Sequence, residues 1–149
     1  MGRPGAEGMF VRPKTRLDPV VKLEEKREEQ RLAEMSAAAR ALKAAEDDLE
    51  QRRVHASTDH RRTGSAWDWQ LADLSHARAL SDVRAAENAV SQAATAQVGS
   101  RDRYTEAYMR AEAIRRVAAA RADEILQARE QAERREHDEL GVLRFGRGT

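Results

Sequence analysis

The sequence has no cysteine, three prolines and only six aromatic residues. Without thiols there is no disulfide framework and no thiolate metal site, which fits a reducing compartment. With aromatics at 4% of the chain, too little bulk is available for the interior of an ordinary globular domain. No run of roughly eighteen apolar residues occurs, so no membrane-spanning helix is expected. Residues 1–14 lack the apolar run of a secretory signal. Ala6 stands where a myristoylation signal carries Ser or Thr. The chain also lacks an excess of one charge: 27 basic residues oppose 26 acidic ones. Nucleic-acid binders show a one-sided basic surplus, so no nucleic acid is expected as a partner.

What is present is charge, alanine and a seven-residue rhythm. Charged residues make up 36% of the sequence, and the mean hydropathy is −0.81. Such a composition belongs either to long helices or to disorder, and periodicity decides for helices. Val83, Val90, Gln97, Tyr104, Ala111, Ala118, Ile125 and Ala132 recur every seven residues, the pattern of a coiled coil. This stretch starts at Ser65-Ala66-Trp67-Asp68, where a hydroxyl caps the first free amides and a carboxylate follows three residues later. Gly64 precedes it as a breaker and Gly141 follows Leu140 as a stop. The predicted helix over residues 65–140 is about 110 Å long, which implies a rod. Gly99-Ser100 interrupts it in the middle, where a bend or local fraying is expected rather than a full break.

Upstream, residues 1–16 read as a flexible lead and residues 141–149 as a flexible tail. Asp18-Pro19 predicts a helix start, with Asp as the cap and Pro at the first helical position. From there to about residue 56, Met35, Ala38, Leu42, Ala45, Leu49, Arg52 and Ala56 form a stripe at alternating spacings of three and four. Val20, Val21, Leu23 and Leu32 are expected to thicken its early part. Glu24, Glu25, Lys26, Arg27, Glu28, Glu29 and Arg31 are placed on a solvated face. Residues 57–64 cluster Ser, Thr, Asp and Gly and mark a turn.

Two long helices joined by a short turn predict an all-α fold, an antiparallel coiled-coil hairpin whose second helix is the longer. Counted from the turn, the first helix pairs only as far as about Tyr108. About 30 residues of the second helix, roughly 45 Å, then overhang. An amphipathic helix with an unpaired seam calls for another protein.

Chemistry is sparse. His55, His60, His76 and His137 do not share a helical face, and no carboxylates complete a metal-ligand set. Gly64 and Gly99 are isolated, so no phosphate-cradling loop exists. Two helices form no concave pocket in which to desolvate a reacting group. Neither catalysis nor a cofactor nor a metal is expected. Arg52, Arg53, Arg61 and Arg62 around the turn, against Asp59, make a basic tip, either a solvated loop or a surface for an acidic partner or phosphate. Trp67 and Trp69 are two apart and cannot both face the seam, so Trp67 is expected under the turn and Trp69 more exposed. Tyr104 and Tyr108 fall where the first helix should run out, and either seal that end or offer a contact surface.

These residues resemble the FliJ family of flagellar export proteins, related to the YscO-type stalk proteins of injectisomes. The resemblance is carried by Met9-Phe10-Val11-Arg12, by Leu17 with Val20-Val21-Lys22-Leu23-Glu24-Glu25, by Trp67-Asp68-Trp69-Gln70-Leu71, and by the Arg129–Leu140 run ending in Asp138-Glu139. It implies a non-enzymatic cytoplasmic antiparallel coiled coil, peripheral to the inner membrane through its partners. The implied partners are a hexameric export ATPase, the cytoplasmic domain of the export gate, and export chaperones. On this likeness the overhang from about Tyr104 to Leu140, with the start of the first helix, enters the ATPase ring, and the hairpin tip faces the gate. The candidate contact residues are Phe10, Leu17, Val21, Trp67, Trp69, Leu71, Tyr104, Tyr108, Ile125, Arg134 and Asp138. The rival expectation is a general cytoplasmic coiled-coil scaffold that self-associates through its overhangs.

Overall fold

The computed structural model describes residues 12–58 and 64–146. They form two helices packed antiparallel, α1 over Asp18–Ser57 and α2 over Ala66–Gly146. The chain divides into a terminal unit, Met1–Arg27 with Tyr108–Thr149, and a central unit, Glu28–Ala107. Phe10 lies outside the described residues, as do Asp59, Arg61 and Arg62 of the expected basic tip.

Both helices open with the same device. At α2, the Ser65 amide donates to Asp68 Oδ2 at 2.9 Å, and the Asp68 amide donates back to Ser65 Oγ at 3.4 Å. At α1, the Thr15 amide donates to Asp18 Oδ2 at 3.1 Å and its hydroxyl donates to Oδ1 at 3.0 Å. The Leu17 amide donates to Thr15 Oγ1 at 3.3 Å and the Asp18 amide to the Thr15 carbonyl at 3.3 Å, so a Thr-x-x-Asp box on the turn leading into α1, and not Asp18 alone as the Asp-Pro pair suggests, starts the helix. Gly64 is tied to the second box. Its φ is +155°, and a Cβ there would meet Asp68 Cβ at 2.9 Å, so only glycine lets the carboxylate fold back over the chain.

In the central unit, the non-exposed face of α1 runs through Glu28, Arg31, Met35, Ala38, Leu42, Ala45, Leu49 and Ala56. In the terminal unit the same spacing continues through Leu17, Val21 and Glu24. The stripe expected from Met35 onward is present except at Arg52, which is exposed, and its early part differs. Glu24, Glu28 and Arg31, assigned above to the solvated face, occupy seam positions and are only partly exposed, whereas Val20, Leu23 and Leu32 are exposed. Spacing along the helix, rather than hydrophobicity, decides which residues face the partner helix.

On α2 the seam is double. The predicted heptad from Val83 to Ile125 is non-exposed at every position, while Ala132 is exposed. Beside it, in the central unit, runs a second heptad made only of small residues: Ala72, Ala79, Ala86, Ala93, Ser100 and Ala107. Its next position, in the terminal unit, is the half-buried Ile114, the first bulky side chain of the series. Among the described residues of the two helices, the buried apolar side chains apart from Leu49 are all alanine: Ala79, Ala86, Ala107, Ala111, Ala118 and Ala122. Each layer buries little area, so stability must accumulate over many layers.

Ion pairs show the register within each unit. In the central unit, Arg52 Nη1 lies 3.6 Å from Asp82 Oδ2 and Arg53 Nη2 lies 3.6 Å from Glu87 Oε1. Ser57 is thereby level with residues near Arg78, not with Ala66. The offset is about a dozen residues, or roughly 18 Å of helix, within the ~27 Å that the eight intervening residues can span. In the terminal unit Arg115 Nε contacts Glu25 Oε1 at 3.3 Å, and Lys14–Leu17 lie beside Arg121 and Ile125. Pairing thus continues well past Tyr108, correcting the expected start of the overhang, which was counted from a tight turn.

Two further expectations change. The α2 helix runs through Gly99 without interruption, with Ser100 buried and its hydroxyl donating to the Gln97 carbonyl at 2.8 Å. It also runs through Gly141 and ends at Gly146, six residues beyond the expected stop at Leu140.

A Cβ at Gly99 would meet only the flexible end of Arg103, at 3.4 Å. Gly99→Ala is therefore expected to raise stability by about 0.5–1 kcal/mol, read as a higher urea midpoint with unchanged slope; a lower midpoint would show that the glycine is needed. The cap of α1 makes a pH prediction. The Thr15 amide, then its hydroxyl, hold the Asp18 carboxyl below its ordinary value, with Arg12 and Lys22 adding to this and desolvation opposing it. A depressed carboxyl contributes stability above its unfolded value, and the contribution is lost as pH falls through the folded one. The Thr15 amide resonance should accordingly lose its capped shift as pH drops below about 4, and Asp18→Asn should remove that step.

Candidate partner-binding surfaces

The largest exposed surfaces follow from where α2 outruns α1. In the central unit, from Gly64 to Arg78 only Ala72 is even partly covered. The exposed side chains there include Trp67, Trp69, Leu71 and Leu74, with Trp67 at 66% and Leu74 at 67% of full exposure. Trp67 is the more exposed tryptophan and Trp69 the less, at 49%, reversing the expected order. The reason is the register offset: with α1 ending near Arg78, no described residue of α1 reaches the level of Trp67.

In the terminal unit, every residue of α2 beyond Ile125 is exposed except Gly141. Arg134 and Asp138 stand on this exposed length. Past it, Leu140, Val142, Leu143 and Phe145 are exposed, Phe145 at 84%. The stop expected at Gly141 conceals this apolar end, for which Val142-Leu143-Phe145 is the signal in the sequence. A shallow depression among His137, Asp138, Gly141, Val142, Phe145 and Gly146 lies along a single helix, so nothing encloses it.

Of the remaining described candidates, Leu17, Val21, Tyr104 and Ile125 are partly covered within the chain and Tyr108 is exposed. Leu17, Val21 and Ile125 are half-buried in the terminal unit, where Leu17 and Ile125 line one depression with Thr15, Arg16 and Arg121. Tyr104 is half-buried on the central heptad, and Tyr108 is 44% exposed. Neither tyrosine marks the end of α1.

The electrostatics of the terminal unit centre on Arg115, which contacts Glu25 across the pair and Glu112 on its own helix. Next to Glu25 in sequence, Glu24 accepts from Arg27 with Oε1 at 2.9 Å, while its Oε2 is buried with no hydrogen-bond partner. The cross-helix pairs are one-third to one-half exposed, and each contributes at most about 1 kcal/mol. They distinguish registers more than they hold the helices together.

Among the described residues no group of three His, Asp or Glu side chains is placed to hold a metal ion. No described helix is long and apolar enough to cross a membrane. No protein-family model matches the chain, and neither a curated protein nor a solved structure does.

The orphaned oxygen of Glu24 carries a prediction. A buried polar atom without a partner costs about 1–3 kcal/mol, and the site is on the seam. Glu24→Leu should raise stability by about 1–2 kcal/mol despite the loss of the Arg27 pair, which is exposed on the arginine side. Thermal unfolding followed at 222 nm checks it, and a fall in the midpoint would show that the carboxylate is needed where it is.

Proposed function

We propose that this chain is a non-enzymatic central-stalk and coupling component of a flagellar type III protein export apparatus. It works at the cytoplasmic face of the inner membrane, in contact with a hexameric export ATPase and the export gate. The observation that carries the reading is the length of α2 left without α1 in the terminal unit, from Leu126 to Gly146, rich in charge from Arg129 to Glu139 and ending in the exposed Leu140, Val142, Leu143 and Phe145. A helix exposed all round gains nothing from its own fold at that end, and its use lies in being surrounded. The resemblance carried by Leu17 to Glu25, Trp67 to Leu71 and Arg129 to Leu140 supplies the identity of what surrounds it.

The physical role is mechanical and electrostatic, without chemistry. Mixed charges along residues 129–139, with Arg129, Arg134 and Arg135 among Glu130, Glu133, Glu136, Asp138 and Glu139, suit contacts that form and dissolve rather than a permanent seal. The apolar end supplies a short anchor of the kind that dominates binding energy when buried. Export chaperones are further candidate partners by the same resemblance. A second reading, a self-associating scaffold, is favoured by the apolar length of α2 in the central unit.

Light scattering on a sizing column decides. Mixed with the export ATPase of the same cell, the chain should co-elute at about one copy per ring, as a single central element in a symmetric hexamer requires. Leu140→Asp with Leu143→Asp should weaken that complex at least about tenfold, or 1.4 kcal/mol, with helicity unchanged. Separate elution of wild type and ATPase would sink the export reading.

A further inference from the structure

We propose that the first turns of α2 make a transient antiparallel contact with a second copy of this chain. All of the residues involved lie in the central unit. Trp67, Leu71, Leu74 and Arg78 follow one another at spacings of four, three and four, and so share one face of the helix. All four are exposed, and that face points away from the seam that carries Ala72 and Ala79. Among the described residues no carboxylate pairs with Arg78.

The spacing reads the same in both directions, which is the condition for a two-fold contact in which one patch meets itself. With the axis between residues 72 and 73, Leu71 meets Leu74 of the second copy, and Leu74 meets its Leu71. Trp67 meets Arg78 of the second copy at each end, a guanidinium over an indole. The carboxylates do not oppose one another: Asp68 faces Ala77 of the second copy and Asp73 faces its Ala72. A parallel arrangement would instead set Arg78 against Arg78 and lose both stacking pairs. Trp and Arg are also the residue types that concentrate binding energy at interfaces.

Four side chains per copy cover far less than the ~800 Å² per partner of a stable interface. The contact is therefore concentration-dependent, and a monomer prevails in dilute solution. It does not depend on the export reading, because its residues lie in the central unit and the ATPase test addresses the terminal one.

Sedimentation velocity on the full chain, from about 5 to 500 μM, tests it, the range bracketing an interface of this size. The weight-average mass should climb from monomer towards dimer across the series. Leu71→Asp with Leu74→Asp should abolish the climb, and Arg78→Glu should raise the dissociation constant at least about fivefold. Leu143→Asp, at the far end of α2, should leave it unchanged. These side chains are exposed, so helicity at 222 nm should be the same in every variant. A wild type monomeric throughout overturns the proposal. So does a dimer that persists in the double variant, ignores Arg78→Glu or is lost with Leu143→Asp.

Discussion

Everything in this structure depends on how closely two backbones approach when one presents alanine or serine at each seventh position. From Ala72 to Ala107 the second heptad of α2 contains nothing larger than Ser100. Small side chains let the partner backbone come near, and dispersion then acts between main chains as well as side chains. Each layer buries little, so many layers are required. In the terminal unit Ile114 adds bulk to that heptad, yet the buried positions around it, Ala111, Ala118 and Ala122, are again alanine. The same closeness excludes larger groups: a methylene added at Ala118 or Ala122, 2% and 0% exposed, has no space to enter and forces off-rotamer packing.

A uniform seam has a cost in specificity. Where successive layers look alike, displacing one helix by a heptad changes little of the apolar burial, and something else must choose the register. The charged residues supply the choice. Arg52 with Asp82 and Arg53 with Glu87 do so in the central unit, and Arg115 with Glu25 in the terminal one. The seam positions of Glu24, Glu28 and Arg31 fit the same logic, since polar groups on a seam define register at some expense of stability. The partnerless oxygen of Glu24 is the visible part of that expense.

The elements were legible in the sequence because their signals are local. The Ser65–Asp68 box, Gly64 and the Val83-to-Ile125 heptad placed α2, and the Met35-to-Ala56 stripe placed the facing side of α1. The same grammar at Thr15–Asp18 went unread because Asp18-Pro19 offered a simpler start. Register was not legible. It is set by interactions between residues thirty to ninety positions apart, and no turn rule reveals that eight linker residues carry a dozen-residue offset. Charge also misled, because Glu24, Glu28 and Arg31 read as surface while Leu23 and Leu32 read as core. The candidate surfaces share the register error: Trp67 is expected under the turn although it is exposed, and the overhang is expected from about Tyr108 although pairing reaches Ile125.

The offset gives the exposed surfaces their significance. Had α1 begun pairing at the turn, Trp67, Leu71 and Leu74 would lie beside it, and α2 would be left bare from about Tyr108. In the register observed, the bare length is divided, thirteen residues from Ala66 to Arg78 in the central unit and the length beyond Ile125 in the terminal unit. The two pieces differ in chemistry. The first concentrates Trp and Leu within eight residues; the second is a charged helix ending in Leu140, Val142, Leu143 and Phe145. Scattered exposed apolar residues need no explanation, but a tryptophan and two leucines aligned on one helical face do. Beside a seam on which Leu42, Leu49, Ile114 and Ile125 are at least partly covered, Trp67, Leu71 and Leu74 near one end of α2 and Phe145 at the other stay exposed, and it is such clustered apolar exposure, not scattered residues, that asks for an explanation.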